Sequence, residues 1–168
     1  MGFLCKLVDA SLLLVFSVIA LAAPLIDLQT FLPQSVFPEL VVDLKKYYIR
    51  HYDDYLLDEK PHFFVGLIWV ELLFQWPLAV LNIYGILAYK PWFKTTCLIY
   101  GVSVLTSMAA ILGELIGSQK ASDKLMMMYC PFMGFGILAM LRGLVPCTDT
   151  SGSMGKKPAP AMARKKRA

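Results

Sequence analysis

Four long stretches almost free of charge decide what this chain can fold into. Residues 10–26 hold no charge between Asp9 and Asp27, residues 63–88 hold only Glu71, residues 95–116 only Glu114, and residues 125–141 none. A helix that crosses a bilayer needs about 20 mainly apolar residues, because the hydrocarbon core is about 30 Å thick and each residue rises about 1.5 Å. All four stretches reach or nearly reach that length. Composition agrees: 58% of the 168 residues are hydrophobic and 17% charged, against about 45–50% and about 25% in a soluble domain. Soluble globular, disordered and collagen-like classes are excluded. Four Cys is ordinary usage, not a disulfide scaffold. The expected fold is all-α, a polytopic four-transmembrane-helix bundle with an intramembrane ligand cavity over residues 1–141.

Two readings fit the first stretch. Lys6, an apolar run and Ala20-Leu21-Ala22 match a cleaved signal peptide. The run is longer than the usual apolar region of about 7–15 residues, which favours a retained helix. Residues 27–60 form a polar segment containing Pro33, Pro38 and several aromatics, expected to fold onto the membrane surface. Residues 142–168 are rich in Gly, Ser, Pro and basic residues and read as a disordered tail.

Charge gives an orientation. The tail carries seven basic residues and Asp149, a net of +6. The connection after the second stretch adds Lys90 and Lys94. The segment 27–60 carries seven acidic and four basic residues, a net of −3. Basic loops stay in the cytosol, so both termini are expected there and the acidic segment in the lumen. The last residues, Lys165-Lys166-Arg167-Ala168, place two lysines where a dilysine signal for retrieval to the endoplasmic reticulum would stand. A basic tail that only attracts anionic lipid is the plainer reading. No basic patch with interleaved aromatics lies outside the tail, so no nucleic acid is expected as partner.

An ionisable group inside a span costs about 2.5–3.5 kcal/mol on insertion scales, so it usually has a task. Glu71 lies eight residues into the second span and Asp27 at the lumenal end of the first, at compatible depths. Gln75 and Asn82 follow Glu71 at close to the same helical angle, giving that span one polar stripe. Two such carboxyls do not both ionise readily. The pair fits an ionised Asp27 bonded to a protonated Glu71, presenting one negative charge to an amphiphile with an amine or a hydroxyl. The alternative is a polar clasp that pins two helices together. Ser103, Ser107 and Ala110 read as a packing stripe, Pro77 and Pro131 as kinks. His51 and His62 have no third ligand at metal-like spacing, and no metal or other cofactor is implied.

These residues suggest a family. Asp27-Leu28-Gln29 with Leu32-Pro33, Asp54 before Leu56-Leu57, Glu71-Leu72-Leu73-Phe74-Gln75-Trp76-Pro77 and Tyr129-Cys130-Pro131-Phe132 stand in the order seen in the sigma-2 receptor family (transmembrane protein 97). That family belongs to the EXPERA group of four-helix membrane proteins, and the resemblance covers about residues 12–141. It implies an endoplasmic reticulum membrane protein that binds sterols or oxysterols and cationic amphiphilic drugs. It further implies a part in cholesterol homeostasis and trafficking through the Niemann–Pick type C transporter, and a homodimer.

By the same resemblance Asp27 pairs with the ligand amine and Glu71 bonds to Asp27, while Gln75 and Tyr129 line the pocket. Phe132 stands where the family can have Tyr, so that site lacks a hydroxyl. Asp54 is implicated in ligand binding in the family; here it reads as structural, in the lumenal segment. The fold group also contains a sterol isomerase, the natural enzyme alternative. Its double-bond shift needs a proton donor and an acceptor across the sterol ring. No His lies in the four stretches, and Glu71 with Gln75 is not such a pair, so a binder without catalytic activity is the expectation. A scaffold for partner membrane proteins is the third possibility.

Overall fold

The computed structural model describes residues 3–145. Seven helices follow in order: α1 (Phe3–Ile26), α2 (Glu39–Tyr52), α3 (Tyr55–Glu59), α4 (His62–Val70), α5 (Trp76–Leu87), α6 (Phe93–Ser118) and α7 (Asp123–Leu144). A five-residue π-helical turn, Glu71–Gln75, joins α4 to α5 without a break. Four spans result: Phe3–Thr30, His62–Leu87, Phe93–Ser118 and Asp123–Leu144, each long and apolar enough to cross a membrane. The expected all-α, four-span architecture is present, and no strand occurs among the described residues.

The helices outrun the apolar stretches. The first starts at Phe3, ahead of the expected residue 10, and the last ends at Leu144, three residues beyond residue 141. Backbone hydrogen bonding does not stop where apolar residues do. Arg142, read from sequence as the first residue of the tail, therefore belongs to α7 and is buried.

Backbone chemistry explains the interruption in the second span. Pro77 has no N–H, and its ring would clash with the carbonyl four residues back in an α-helix. The chain widens by one residue ahead of it, so that the Trp76 N–H bonds to the Glu71 carbonyl. The expected kink thus takes the form of a π turn. The polar segment folds into α2 and α3. Pro38, extended in backbone, leads into α2, and Asp54 caps α3 by accepting from the Leu56 and Leu57 amides at 3.1 and 3.2 Å.

The core has two parts. Phe16 of α1, Tyr100 of α6 and Phe135 of α7 meet edge to face, with centroids 5.0 to 5.9 Å apart. Leu56 and Leu57 of α3, Phe64 and Ile68 of α4, Ile111 and Leu115 of α6, and Leu125 of α7 form the other part at the α2 end. The tightest pairing is α6 on α7, backbone against backbone at Gly101, Gly136 and Gly143. A Cβ at Gly101 would collide with the Met140 amide nitrogen and lie 2.8 Å from the Gly136 carbonyl oxygen.

Candidate functional site

The site is built where α1 ends and α4 gives way to the π turn. Asp27 is the first residue after α1, and Glu71 opens the π turn. Both are half-buried. No hydrogen bond joins them directly among the described residues, so the expected carboxyl-to-carboxylate bond is not formed in this structure. Tyr100 is almost wholly buried in the same bundle.

The flanking residues fix this geometry. Pro24 cannot donate to the Ala20 carbonyl, which a residue four places on would otherwise satisfy. The Trp76 indole takes that carbonyl instead, at 2.9 Å, and ties the π turn to α1. Gln75 is buried, and its amide donates to Ser103 Oγ at 3.0 Å and Ser107 Oγ at 3.1 Å. The residues read as a packing stripe are thus hydrogen-bond acceptors for Gln75, while Ala110 is exposed.

The remaining expected residues go elsewhere. Tyr129 donates to Asp54 Oδ2 at 2.9 Å, so these two form a buried clasp between the segment 27–60 and α7. Burial pushes the Asp54 carboxyl above its usual range, and the Tyr129 hydroxyl and the Leu57 and Leu56 amides oppose it. Asp54 is fully enclosed, caps α3 and fastens that helix to the bundle. Phe132 is 42% exposed on the outer surface of α7, outside the Asp27–Glu71 cluster. Lys165 and Lys166 lie outside the described residues.

Two clefts among the described residues, about 440 and 590 Å³, lie over the segment 27–60. Neither is lined by Asp27 or Glu71. Around the π turn, Tyr100, Gln75 and Leu72 are all buried. Among the described residues no group of three His, Cys, Asp or Glu is placed to hold a metal ion.

Sequence reasoning missed three charged residues. Lys45 on α2 is buried; its Nζ donates to the Ile26 carbonyl at 3.1 Å and to Thr30 Oγ1 at 3.3 Å. Burial pulls its amine below the usual lysine range, against the pull of Asp27. The signal was periodicity: Val42, Lys45, Ile49 and Tyr52 fall on one face of α2. At the opposite end of the bundle Asp9 and Arg142 form a buried two-point ion pair, Nε to Oδ1 at 2.6 Å and Nη2 to Oδ2 at 3.0 Å. Phe135, Ala139 and Arg142 share a buried face of α7, so the same signal marked Arg142.

The chain matches the EXPERA (EXPanded EBP superfamily) family over residues 40–143. Over 130 residues it is 26% identical to the sigma intracellular receptor 2 of Xenopus tropicalis, covering 70% of this chain and 76% of that protein. With the proteins of the same name from Homo sapiens and Macaca fascicularis it is 33% identical over 91 residues. Those alignments cover 54% of this chain and 52% of each relative, so the matched part is about half the length of the human and macaque proteins. The match includes the segment with Asp54, the π turn with Glu71 and Gln75, and α7 with Tyr129. A family match over more than half of the sequence, on a four-span helical chain, shows that this protein belongs to the EXPERA family, with similarity to the sigma-2 receptors.

Proposed function

We propose that this chain is a receptor-like membrane protein that binds sterols and cationic amphiphiles between its first two spans, without catalysing a reaction. The observation that carries this reading is the Asp27–Glu71 pair. Two half-buried carboxyls, where α1 ends and where the π turn opens, form an anionic point on an apolar bundle. That suits a ligand with a long apolar body and one amine or hydroxyl. The similarity to sigma intracellular receptor 2 supports the receptor reading. The family match also supports a connection with sterols. On that reading the protein sits in the endoplasmic reticulum membrane with both termini in the cytosol and contributes to sterol homeostasis and trafficking. A Niemann–Pick type C transporter is a partner in this scheme.

The test is binding of a tertiary-amine amphiphile by purified full-length protein, wild type against Asp27→Asn. Removing one member of a buried charge pair costs about 2–5 kcal/mol, so affinity should fall by at least about 30-fold. Equal affinity in the two proteins would sink the site. Sterol turnover by membranes containing the chain would overturn the reading of a binder in favour of an isomerase-like enzyme. The lipid that copurifies with wild type and not with Asp27→Asn identifies the natural ligand.

A further inference from the structure

The helix α2 is tied down at both ends. Near its start the Val41 carbonyl accepts from Gln29 Nε2 at 3.4 Å, and one turn on Lys45 Nζ bonds to the Ile26 carbonyl at 3.1 Å. At its end the Tyr52 carbonyl accepts from Ser122 Oγ at 3.2 Å. Ile26 closes α1, and Ser122 caps the start of α7. With four alternating spans, the end of the first and the start of the last lie on the same side of the bundle. α2 therefore runs from one span end to another, along the membrane plane.

Three stripes follow its length at about 100° per residue. Val42, Lys45, Ile49 and Tyr52 are buried or half-buried toward the bundle. Glu39, Asp43, Lys46 and Arg50 are exposed and charged, two of each sign. Leu40, Leu44, Tyr47 and His51 make the third stripe, which is exposed although largely apolar: Leu40 is 78%, Leu44 54% and Tyr47 62% exposed. The Tyr47 and His51 rings stack, with centroids 5.5 Å apart. A helix between a core and water needs one apolar face and one polar face. A second apolar face needs a neighbour of its own.

Depth decides which neighbour. Phe31, just after α1, stacks on Trp69 with ring centroids 4.2 Å apart. Trp69 lies seven residues into the span His62–Leu87, about 10 Å along it at the helical rise. The chain leaving α1 thus runs beside the last part of that span, not above it. Exposed apolar side chains continue through it, from Leu21 and Leu25 of α1 to Leu32, Val36 and Leu40. A helix lying in a membrane interface sinks its apolar face about 5–10 Å into the boundary of headgroups and acyl chains, which is the same depth.

We propose that α2 is an in-plane membrane anchor, with the Leu40–Leu44–Tyr47 stripe inserted into the adjoining leaflet and the charged stripe in water. The charges of that stripe cancel, so attachment draws on apolar insertion and needs no anionic lipid. A second copy seated on the stripe is the competing occupant. The depth beside Trp69 and the continuity with the exposed apolar side of α1 favour lipid. The anchor stands or falls independently of the ligand site.

The test places a small fluorescent amino acid, by amber suppression, at position 40, 43, 44 or 50 of the full chain in phosphatidylcholine nanodiscs holding one copy each. All four side chains are exposed, so the probe leaves the core untouched. Quenching by lipids brominated near the top of the acyl chain should be several-fold stronger at 40 and 44 than at 43 and 50. Aqueous iodide should give the reverse order, and adding phosphatidylserine should change neither. Iodide that reaches 40 and 44 as readily as 43 and 50 puts the stripe in water and overturns the anchor. Bromolipid quenching that appears only with phosphatidylserine overturns apolar insertion in favour of electrostatic adsorption. Protection of 40 and 44 from both quenchers, found in discs holding two copies and absent from discs holding one, overturns the anchor in favour of a second copy.

Discussion

A single missing N–H organises the wall of the site. Pro24 leaves the Ala20 carbonyl without its helical donor, and Trp76 donates to it from the π turn. Within a membrane an unsatisfied carbonyl has no water to turn to. Trp76→Phe should therefore lower stability by about 1 kcal/mol, partly from the lost bond and partly from lost indole packing. The decisive measurement is a thermal-unfolding cycle in detergent. Pro24→Ala restores a donor within α1, so Trp76→Phe should cost less in the Pro24→Ala background than alone. Equal costs in both backgrounds would show that the indole acts by packing only.

At the scale of elements, the α6–α7 pairing depends on glycine where two backbones touch. Gly101→Ala puts a methyl against the Met140 amide and the Gly136 carbonyl, which are backbone and cannot swing aside. An overpacked contact of this kind costs about 1–3 kcal/mol. Gly113, on the same helix, has open space around its Cα. Gly113→Ala should be neutral or stabilising by up to about 1 kcal/mol, the helix-propensity difference. Detergent melting curves of the two variants check both; comparable destabilisation would mean that close approach does not hold the helices.

The elements also show what can be read without coordinates. The four spans are legible because a run of apolar residues has one physical explanation. Pro77 announces an interruption, but only the backbone reveals that it is a π turn. Asp27 and Glu71 are recognisable as charges in the wrong solvent. Lys45 is not, because one lysine in a segment with four basic and seven acidic residues looks solvated. Its burial emerges only when the stripe Val42–Lys45–Ile49–Tyr52 is placed against α1. Tyr129 illustrates the converse. The family resemblance implies pocket lining for it, and its hydroxyl is bonded to Asp54, 75 positions earlier in the chain, a partner that no sequence pattern announces.

Across the whole molecule, the first and last spans are closed on each other by Asp9 and Arg142, 133 positions apart in sequence. The guanidinium also lies over the Phe93 ring, 5.3 Å from its centroid. Both side chains look like span boundaries in the sequence, because each stands at the edge of an apolar run and no short spacing links them. Paired, they neutralise each other and extend both helices past those edges. Asp9→Asn leaves a buried guanidinium without its counter-charge, and Nη1 already has no partner among the described residues. The loss should be about 3–5 kcal/mol, visible as a large drop in melting temperature and as proteolysis of the chain ends. Replacing both partners by apolar residues, Asp9→Leu with Arg142→Met, removes two desolvation costs together with one attraction. Such replacements are often neutral or stabilising, so the double variant should melt well above Asp9→Asn. A double variant no more stable than the single one would show that each residue makes its own contribution and that the ring of four spans is closed by something other than this pair.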